Sequence, residues 1–499
     1  MTAGRRRVRD LAVLAGMTVA AIGVHGYHPA IEDAEIYLPG ILKQLHPALF
    51  PYNTAFFESH AHMTLFPRLM ALSIRVAPVP AGVVMLGWQV LSIALLLLAC
   101  LRIARLCFPS ERAVWCGVAL IGSLLTLPIA GTDLYIMDQY VTPRSLSTPL
   151  GMLAAAEALQ GRPVWALVWL AVIAPIHPLM SVFAAAFVGA IWLVGRVKRP
   201  VEPGMVAAAG LLALFPPVTA AYRRILATRP AFLLTRWAWY EWLGLLAPFA
   251  LMAGFAWLAR RCGLPRLRRL CHAVILFEAV FFAMALVISV PGPFERFAEI
   301  QPMRSLQIVY IVMFLVAGGF LGHYVLGRRA WRWAVLFVPL CTGMWYAQMQ
   351  LFPATRHLEL PGLAPRNRWV QAFDWIRGHT PVDAYFALDP YYLGRPGEDE
   401  HGFRALAERS SLADALKDSG AASMFPDLSA EWAAQVDAQR GWAHFTREDF
   451  LRLRRRYGVD WVVVDHRVDG LACPYANDGL FVCRIDAPGT TGGAVSRRP

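Results

Sequence analysis

Charge is scarce in this chain. Only 16% of its 499 residues are charged, against 57% that are hydrophobic. That balance excludes an ordinary soluble domain and a disordered chain, and fits a protein that crosses a membrane repeatedly. Acid is scarcer than base, 34 residues against 47, for a net charge of +13. No long basic segment interleaved with aromatics occurs, which argues against nucleic acid as a partner. The surplus base reads instead as an anchor for cytoplasmic loops. The eight cysteines contain no CxxC pair and no zinc spacing. Cys100, Cys107, Cys116, Cys262, Cys271 and Cys341 lie in or beside apolar runs and read as small core residues. Cys473 and Cys483 lie in the polar tail and can pair if that tail sits in an oxidising compartment. No internal repeat or low-complexity tract is visible.

What is present is a series of apolar runs of about 17–22 residues, the length of a spanning helix. They fall near 8–26, 81–101, 113–130, 146–160, 163–177, 179–195, 204–221, 242–259, 272–290, 304–326 and 333–350. The fifth and sixth form one run that the proline of His177-Pro178 splits into a hairpin. The start, GRRRVRD then LAVLAGMTVAAIGV, reads as a retained first helix rather than a cleaved signal. With the amino terminus inside, alternate loops hold about 19 Lys or Arg against about 10 in the others, the bias that sets orientation. The stretch 67–78 carries Arg68 and Arg75 between apolar residues and reads as an amphipathic surface helix.

The expected fold is therefore mainly α: a polytopic transmembrane bundle of about 11 spans with a small C-terminal extracytoplasmic α/β domain. The expected bounds are 1–350 for the bundle, including an outer loop 27–80 with surface helices, 351–488 for the periplasmic domain, and 489–499 for a disordered end. In the tail, NRWVQAFDWIRGHTP predicts an amphipathic helix, and DAYFALD, DWVVVDH and GLFVCRI predict strands. The expected location is the inner, plasma membrane.

Six polar clusters fall on the outer side in this topology. IEDAEIYLP supplies Glu32, Asp33 and Glu35, and HAHMTLFP supplies His60 and His62. GTDLYIMDQYVTPRS supplies Asp133, Asp138 and Arg144, and APIHPLM supplies His177. The loop 222–241 is basic, with Arg223, Arg224, Arg229 and Arg236, and FERFAEIQPMRS adds Glu295, Arg296, Glu299 and Arg304. Each has a plain alternative. The acids favour the first turn of a helix, HxH lacks a third ligand, Asp138 can simply pair with Arg144, and an outer basic loop can meet anionic headgroups. Together they predict a cavity where carboxylates meet a basic wall, suited to transfer from a phosphate-linked donor. Trp237, Trp239, Tyr240 and Trp242 read as an interfacial belt. Glu157 and Glu278 lie within spans and are expected to face partners there. Arg404 and Arg409 of the tail are candidates to touch an acceptor.

The layout resembles the GT-C superfamily, polytopic glycosyltransferases that use polyprenyl-phosphate sugars. IEDAEIYLP matches that family's acidic motif soon after the first helix, and 67–78 matches its surface helices. FRALAERSSLADALKDSG and LRRRYGVDWVVVD resemble the carboxy-terminal portions of bacterial GT-C-like proteins. The resemblance implies Asp33 as catalytic carboxylate with Glu32 beside it. It also implies a phosphate site drawn from Arg144, His177, Arg223, Arg236, Arg304, His60 and His62. A divalent ion, Mg²⁺ or Mn²⁺ on Asp33 and Glu35, is used in some branches; here the basic groups can stand in its place. The Trp-Trp-Asp-Tyr-Gly signature of oligosaccharyltransferases is missing; WAWYEW lacks the glycine. The implied activity is inverting hexosyl or pentosyl transfer from a polyprenyl-phosphate donor to an envelope acceptor in the periplasm. The alternatives are a transporter or flippase, which would place charge at the midplane and show repeats, and a non-catalytic membrane assembly protein.

Overall fold

The computed structural model describes residues 3–196, 218–290 and 294–485. The chain divides into two compact units. One comprises Met1–Pro29, Met63–Leu351 and His357–Pro361; the other comprises Ala30–His62, Phe352–Arg356 and Gly362–Pro499. Residues 30–62, read from sequence as part of an outer loop of the bundle, are thus grouped with the tail.

The first unit is a multi-pass helical bundle. Among the described residues, six of its helices are long and apolar enough to cross a membrane: Gly4–His25, Ala81–Cys107, Pro178–Arg196, Trp239–Arg261, Pro265–Ile288 and Glu295–Leu326. The expected runs near 113–130, 146–160, 163–177 and 333–350 are helical too, as Glu111–Gly122, Pro143–Gln160, Pro163–Ile176 and Ala330–Leu351, but they are shorter or less apolar. The run near 204–221 lies, save for its last residues, outside the described residues, as does 489–499. The helices of the 163–196 hairpin part at His177, as the proline requires.

Helix Pro143–Gln160 is the buried axis of this unit. Its residues from Pro143 to Leu159 are all buried, packed by helices Ala81–Cys107, Pro163–Ile176 and Pro178–Arg196. The small side chains of GMLAAAEA allow that close approach on several sides. A second close crossing joins Glu111–Gly122 to Leu306–Phe320, where a Cβ on Gly318 would stand 2.8 Å from Gly117 Cα. The outward faces carry exposed Trp165, Leu167, Leu243 and Val335, which suit contact with lipid.

Buried charge in the bundle is partnered, as expected. Glu157 lies 3.0 Å from Arg102 and 3.7 Å from Arg162, and Glu278 accepts a hydrogen bond from Ser305 Oγ at 2.8 Å. The surface helix forms as Phe66–Val76, burying Phe66 and Met70 while Leu72 and Val76 stay exposed. The aromatic belt needs one correction. Trp239 and Tyr240 are well exposed, but Trp237 is buried and donates through Nε1 to Ala231 O.

The short hairpin β1 (Pro128–Ile129) and β2 (Leu134–Tyr135) belongs to the bundle. The second unit is built on a five-stranded sheet of β3 (Tyr385–Leu388), β4 (Ser410–Ser411), β5 (Trp461–Val464), β6 (Ala472–Ala476) and β7 (Phe481–Arg484). The spatial order is β4-β3-β5-β7-β6, with β3 parallel to both neighbours and the β5, β7 and β6 pairs antiparallel. Alternation along β3 sends Phe386 and Leu388 into one core with Trp369, Phe373 and Phe403, and Tyr385 and Ala387 into the other with Trp442 and Phe450. Both faces are covered, as a central parallel strand requires. Helix Arg368–His379 forms as predicted, capped by Asn367, whose Oδ1 accepts from Trp369 N and Val370 N. Cys473 and Cys483 form a disulfide across β6 and β7.

Candidate active site

The acidic segment is held by the tail segment 400–405. Gly402 N donates to Ala30 O at 2.9 Å, and Glu32 N donates to Glu400 O at 3.1 Å. Ile31 and His401 form an antiparallel bridge. Three non-glycine residues here adopt left-handed backbone: Glu32 at φ 49°, Asp399 at 63° and Glu400 at 50°. Such conformations cost roughly 1–3 kcal/mol each and gather where a site must be shaped. Glu32 turns the chain just before Asp33, and Asp399 and Glu400 turn the tail segment that pairs with it.

Asp33 occupies the N-cap position of helix Ala34–Leu45 but makes no side-chain cap hydrogen bond. The helix-start reading therefore explains its place and not its side chain. Its Oδ1 lies 3.6 Å from Lys417 Nζ, and the carboxylate keeps 28% of its surface in solvent. An accessible carboxylate beside an ammonium can take a proton from a hydroxyl.

Glu35, two residues on, has the opposite environment. It is 1% exposed. Its two oxygens accept from Arg404 N and Ala405 N, each at 3.0 Å, at the start of helix Phe403–Ala407. A Cβ at Gly402 would stand 2.4 Å from Glu35 Oε2, so only glycine lets the chain pass. Arg404 is clamped in turn by both oxygens of Asp418 and donates from Nε to Ser411 Oγ. Asp414 lies 4.0 Å from the same guanidinium. Burial pushes Glu35 up to about 8, against the pull of Arg404 and the two N–H groups. Burial and Asp418 push Asp414 up to about 7. Glu35, Asp389, Tyr392, Ser411, Asp414 and Gln439 line a small cavity here.

This geometry bears on two of the alternatives raised by the sequence. Arg404 and Arg409 do not reach toward a ligand. Arg404 is locked as described, and Arg409 spends its donors on Thr380, Ala407, Glu408 and Arg377. A divalent ion shared by Asp33 and Glu35 does not fit either, because both Glu35 oxygens are already engaged by backbone N–H groups. Among the described residues no group of three or more His, Cys, Asp or Glu could hold a metal ion.

His60 and His62 share helix Ala55–Met63. Two positions apart on a helix, their side chains point to nearly opposite sides. His60 packs edge-on to Phe425 at 5.2 Å between ring centroids, while His62 is exposed.

The remaining candidates lie in the bundle unit. Arg144 pairs with Asp138 at 3.0 Å, both nearly buried, and Thr142 Oγ1 donates to the same carboxylate oxygen. Asp133 takes a left-handed turn at φ 52°. His177 is buried between its two helices. Arg223 Nε lies 3.4 Å from Glu295, and Arg236 donates to Leu226 O at 2.8 Å. Arg304 borders a small cavity with Thr132, Phe232, Gln301 and Met303. Lys417, Asp418, Asp414 and Glu400 were missed as site residues. For Asp414 and Asp418 the signal lay in LADALKDSG, where charge sits among apolar residues; Lys417 and Glu400 carried no local sign.

No family model and no curated protein matches the sequence. Among solved structures, the chain is similar to an oligosaccharyltransferase of Archaeoglobus fulgidus, over 91% of this chain and 68% of that one, at 12% identity and a TM-score of 0.46. A structure of the oligosaccharyltransferase AglB from the same organism, in complex with an inhibitory peptide and a dolichol-phosphate, is similar over 92% and 70%, at 14% identity and 0.39. The arabinofuranosyltransferase AftD from Mycobacteria is similar over 96% of this chain and 42% of that one, at 16% identity and 0.48. At these values they are likenesses of outline that assign neither residues nor activity.

Proposed function

We propose that the chain is an integral membrane glycosyltransferase of GT-C type. It takes a sugar from a polyprenyl-phosphate donor and passes it to an acceptor hydroxyl on the periplasmic side. The observation that carries the reading is the acidic turn at 32–35. A strained backbone places one partly exposed carboxylate, Asp33, beside an ammonium, while Glu35 is buried as an anchor.

In the step itself, the acceptor oxygen attacks the anomeric carbon as Asp33 takes its proton. The bond from that carbon to the phosphate oxygen breaks, and polyprenyl phosphate leaves with the electron pair. Attack from the opposite face inverts the anomeric centre. The departing phosphate gains charge, which arginine stabilises. Arg304, which borders a cavity within the bundle unit, is carried as a candidate for that role. Arg144 is less suited, since Asp138 holds its guanidinium in a buried pair. Arg223 and Arg236 serve as outlying positive charge, with His60, His62 and His177 as further polar candidates. Lys417 supplies the fixed cation at Asp33, so no divalent ion is assigned there. The disulfide supports an oxidising, extracytoplasmic setting for the tail, and with it a cytoplasmic amino terminus.

The test is mass spectrometry of envelope glycans and lipids from cells carrying the wild-type gene, no gene, or Asp33→Asn. The expected result is a glycosylated species that depends on the wild-type gene and is absent with Asp33→Asn, although the variant inserts at normal levels. Full retention of the species with Asp33→Asn removes Asp33 from the mechanism, and a glycan and lipid profile that is the same with and without the gene overturns the reading.

A further inference from the structure

Lys417 stands in a place that local physics disfavours. It is the first residue of helix Lys417–Met424, where the helix dipole repels a cation. Its side chain is only 14% exposed, and lysine is seldom buried without a partner. A residue set against its local preference needs a tertiary reason.

Three contacts fix it. Asp414 Oδ1 accepts from Leu416 N at 2.7 Å and from Lys417 N at 2.5 Å, pinning the start of the helix. The next residue, Asp418, is clamped on Arg404. Arg404 N is held by Glu35, two residues from Asp33. The ammonium thus lies on a closed circuit: Asp33, Glu35, Arg404, Asp418, Lys417. Its two acidic neighbours are Asp33, at 3.6 Å, and Glu400, whose charge it favours against burial. Glu400 also accepts from Glu32 N through its carbonyl, so the two segments that carry these carboxylates are hydrogen-bonded to each other.

We propose that Lys417 is the positioning residue for Asp33, holding the carboxylate in place and anionic so that it can accept the acceptor's proton. This rests on the glycosyltransferase reading of Asp33. The tail then does more than cap the fold, because it furnishes the counter-charge of the base. An ammonium at that distance stabilises the anion through charge.

The experiment compares Lys417→Arg, Lys417→Met and Asp33→Asn in cells without the chromosomal gene. It reads the gene-dependent glycan by mass spectrometry, per amount of folded protein in detergent. Lys417→Met is expected to lower product at least tenfold, and Lys417→Arg to restore most of it. Product retained by Lys417→Met while Asp33→Asn abolishes it overturns the role of Lys417 and leaves that of Asp33. Product retained by both variants removes Asp33 as the base and Lys417 with it, and a wild-type gene that yields no gene-dependent glycan overturns the glycosyltransferase reading itself. If Lys417→Met lowers the thermal midpoint, Lys417→Arg decides: loss of product in well-folded Lys417→Arg overturns positioning by charge.

Discussion

Arg404 Nε lies 3.6 Å from Glu35 Oε1, and each side chain is 2% exposed. A residue of the early acidic motif and one of the late tail thus share a single buried ionic cluster with Asp414 and Asp418.

Removing the cation from that cluster should be costly. Arg404→Met leaves three buried carboxylates without their counter-ion, and breaking such a pair costs about 3–5 kcal/mol. The expected outcome is a clear drop in thermal midpoint of the purified full chain in detergent, or loss of folded protein. Glu35→Gln keeps one acceptor oxygen for Arg404 N or Ala405 N, sets an NH2 group against the other, and leaves the cation in place, so it should cost less than Arg404→Met. Equal stability of Arg404→Met and the wild type would show that the cluster does not need the cation.

The same cluster sets a pH dependence. In the folded protein Glu35 rises to about 8 and Asp414 to about 7, whereas an unfolded chain titrates both in the ordinary carboxylate range. The folded state therefore holds protons that the unfolded state has released. The stability they contribute is full at acid pH and is lost as pH rises through 7 to 8. The slope is at most about 1.4 kcal/mol per pH unit for each group. Thermal midpoints should fall from about pH 5 to about pH 8 and level off above it (the window between the unfolded and folded values of these groups), and Glu35→Gln should flatten the fall. A midpoint that rises across this window would contradict the assignment.

The disulfide offers a third test. Cys473 and Cys483 are separated by 10 residues, a loop whose closure stabilises by about 3 kcal/mol in the chain-entropy account. Reduction, or Cys473→Ser with Cys483→Ser, should lower the thermal midpoint without altering insertion. An unchanged midpoint would show that the β6–β7 pairing holds the edge unaided.

Much of this architecture was legible from local pattern. Spanning runs announce themselves by length and apolarity, and helix Arg368–His379 and strands β3, β5 and β7 follow from periodicity. What escaped was non-local. Ser410–Ser411 is too short to read as a strand, yet it pairs with β3. Glu35 and Asp33 look alike in IEDAEIYLP, and only partners 370 residues along, such as Ala405, make one an anchor and leave the other accessible. Trp237 carries the same aromatic signal as Trp239, and packing alone separates them. Lys417 gave no positive local sign; its position at a helix start is explained by Asp33 rather than by the helix.

The grouping of residues 30–62 with the tail also imposes an order on biosynthesis. The acidic segment leaves the ribosome early, whereas its partners in 400–418 emerge near the end. At about 5–20 residues per second, a separation of 370 residues keeps Glu35 waiting roughly 20–70 s for its helix start. A nascent chain must shelter that segment throughout, so a stalled or shortened product would leave the acidic turn without the scaffold that shapes it.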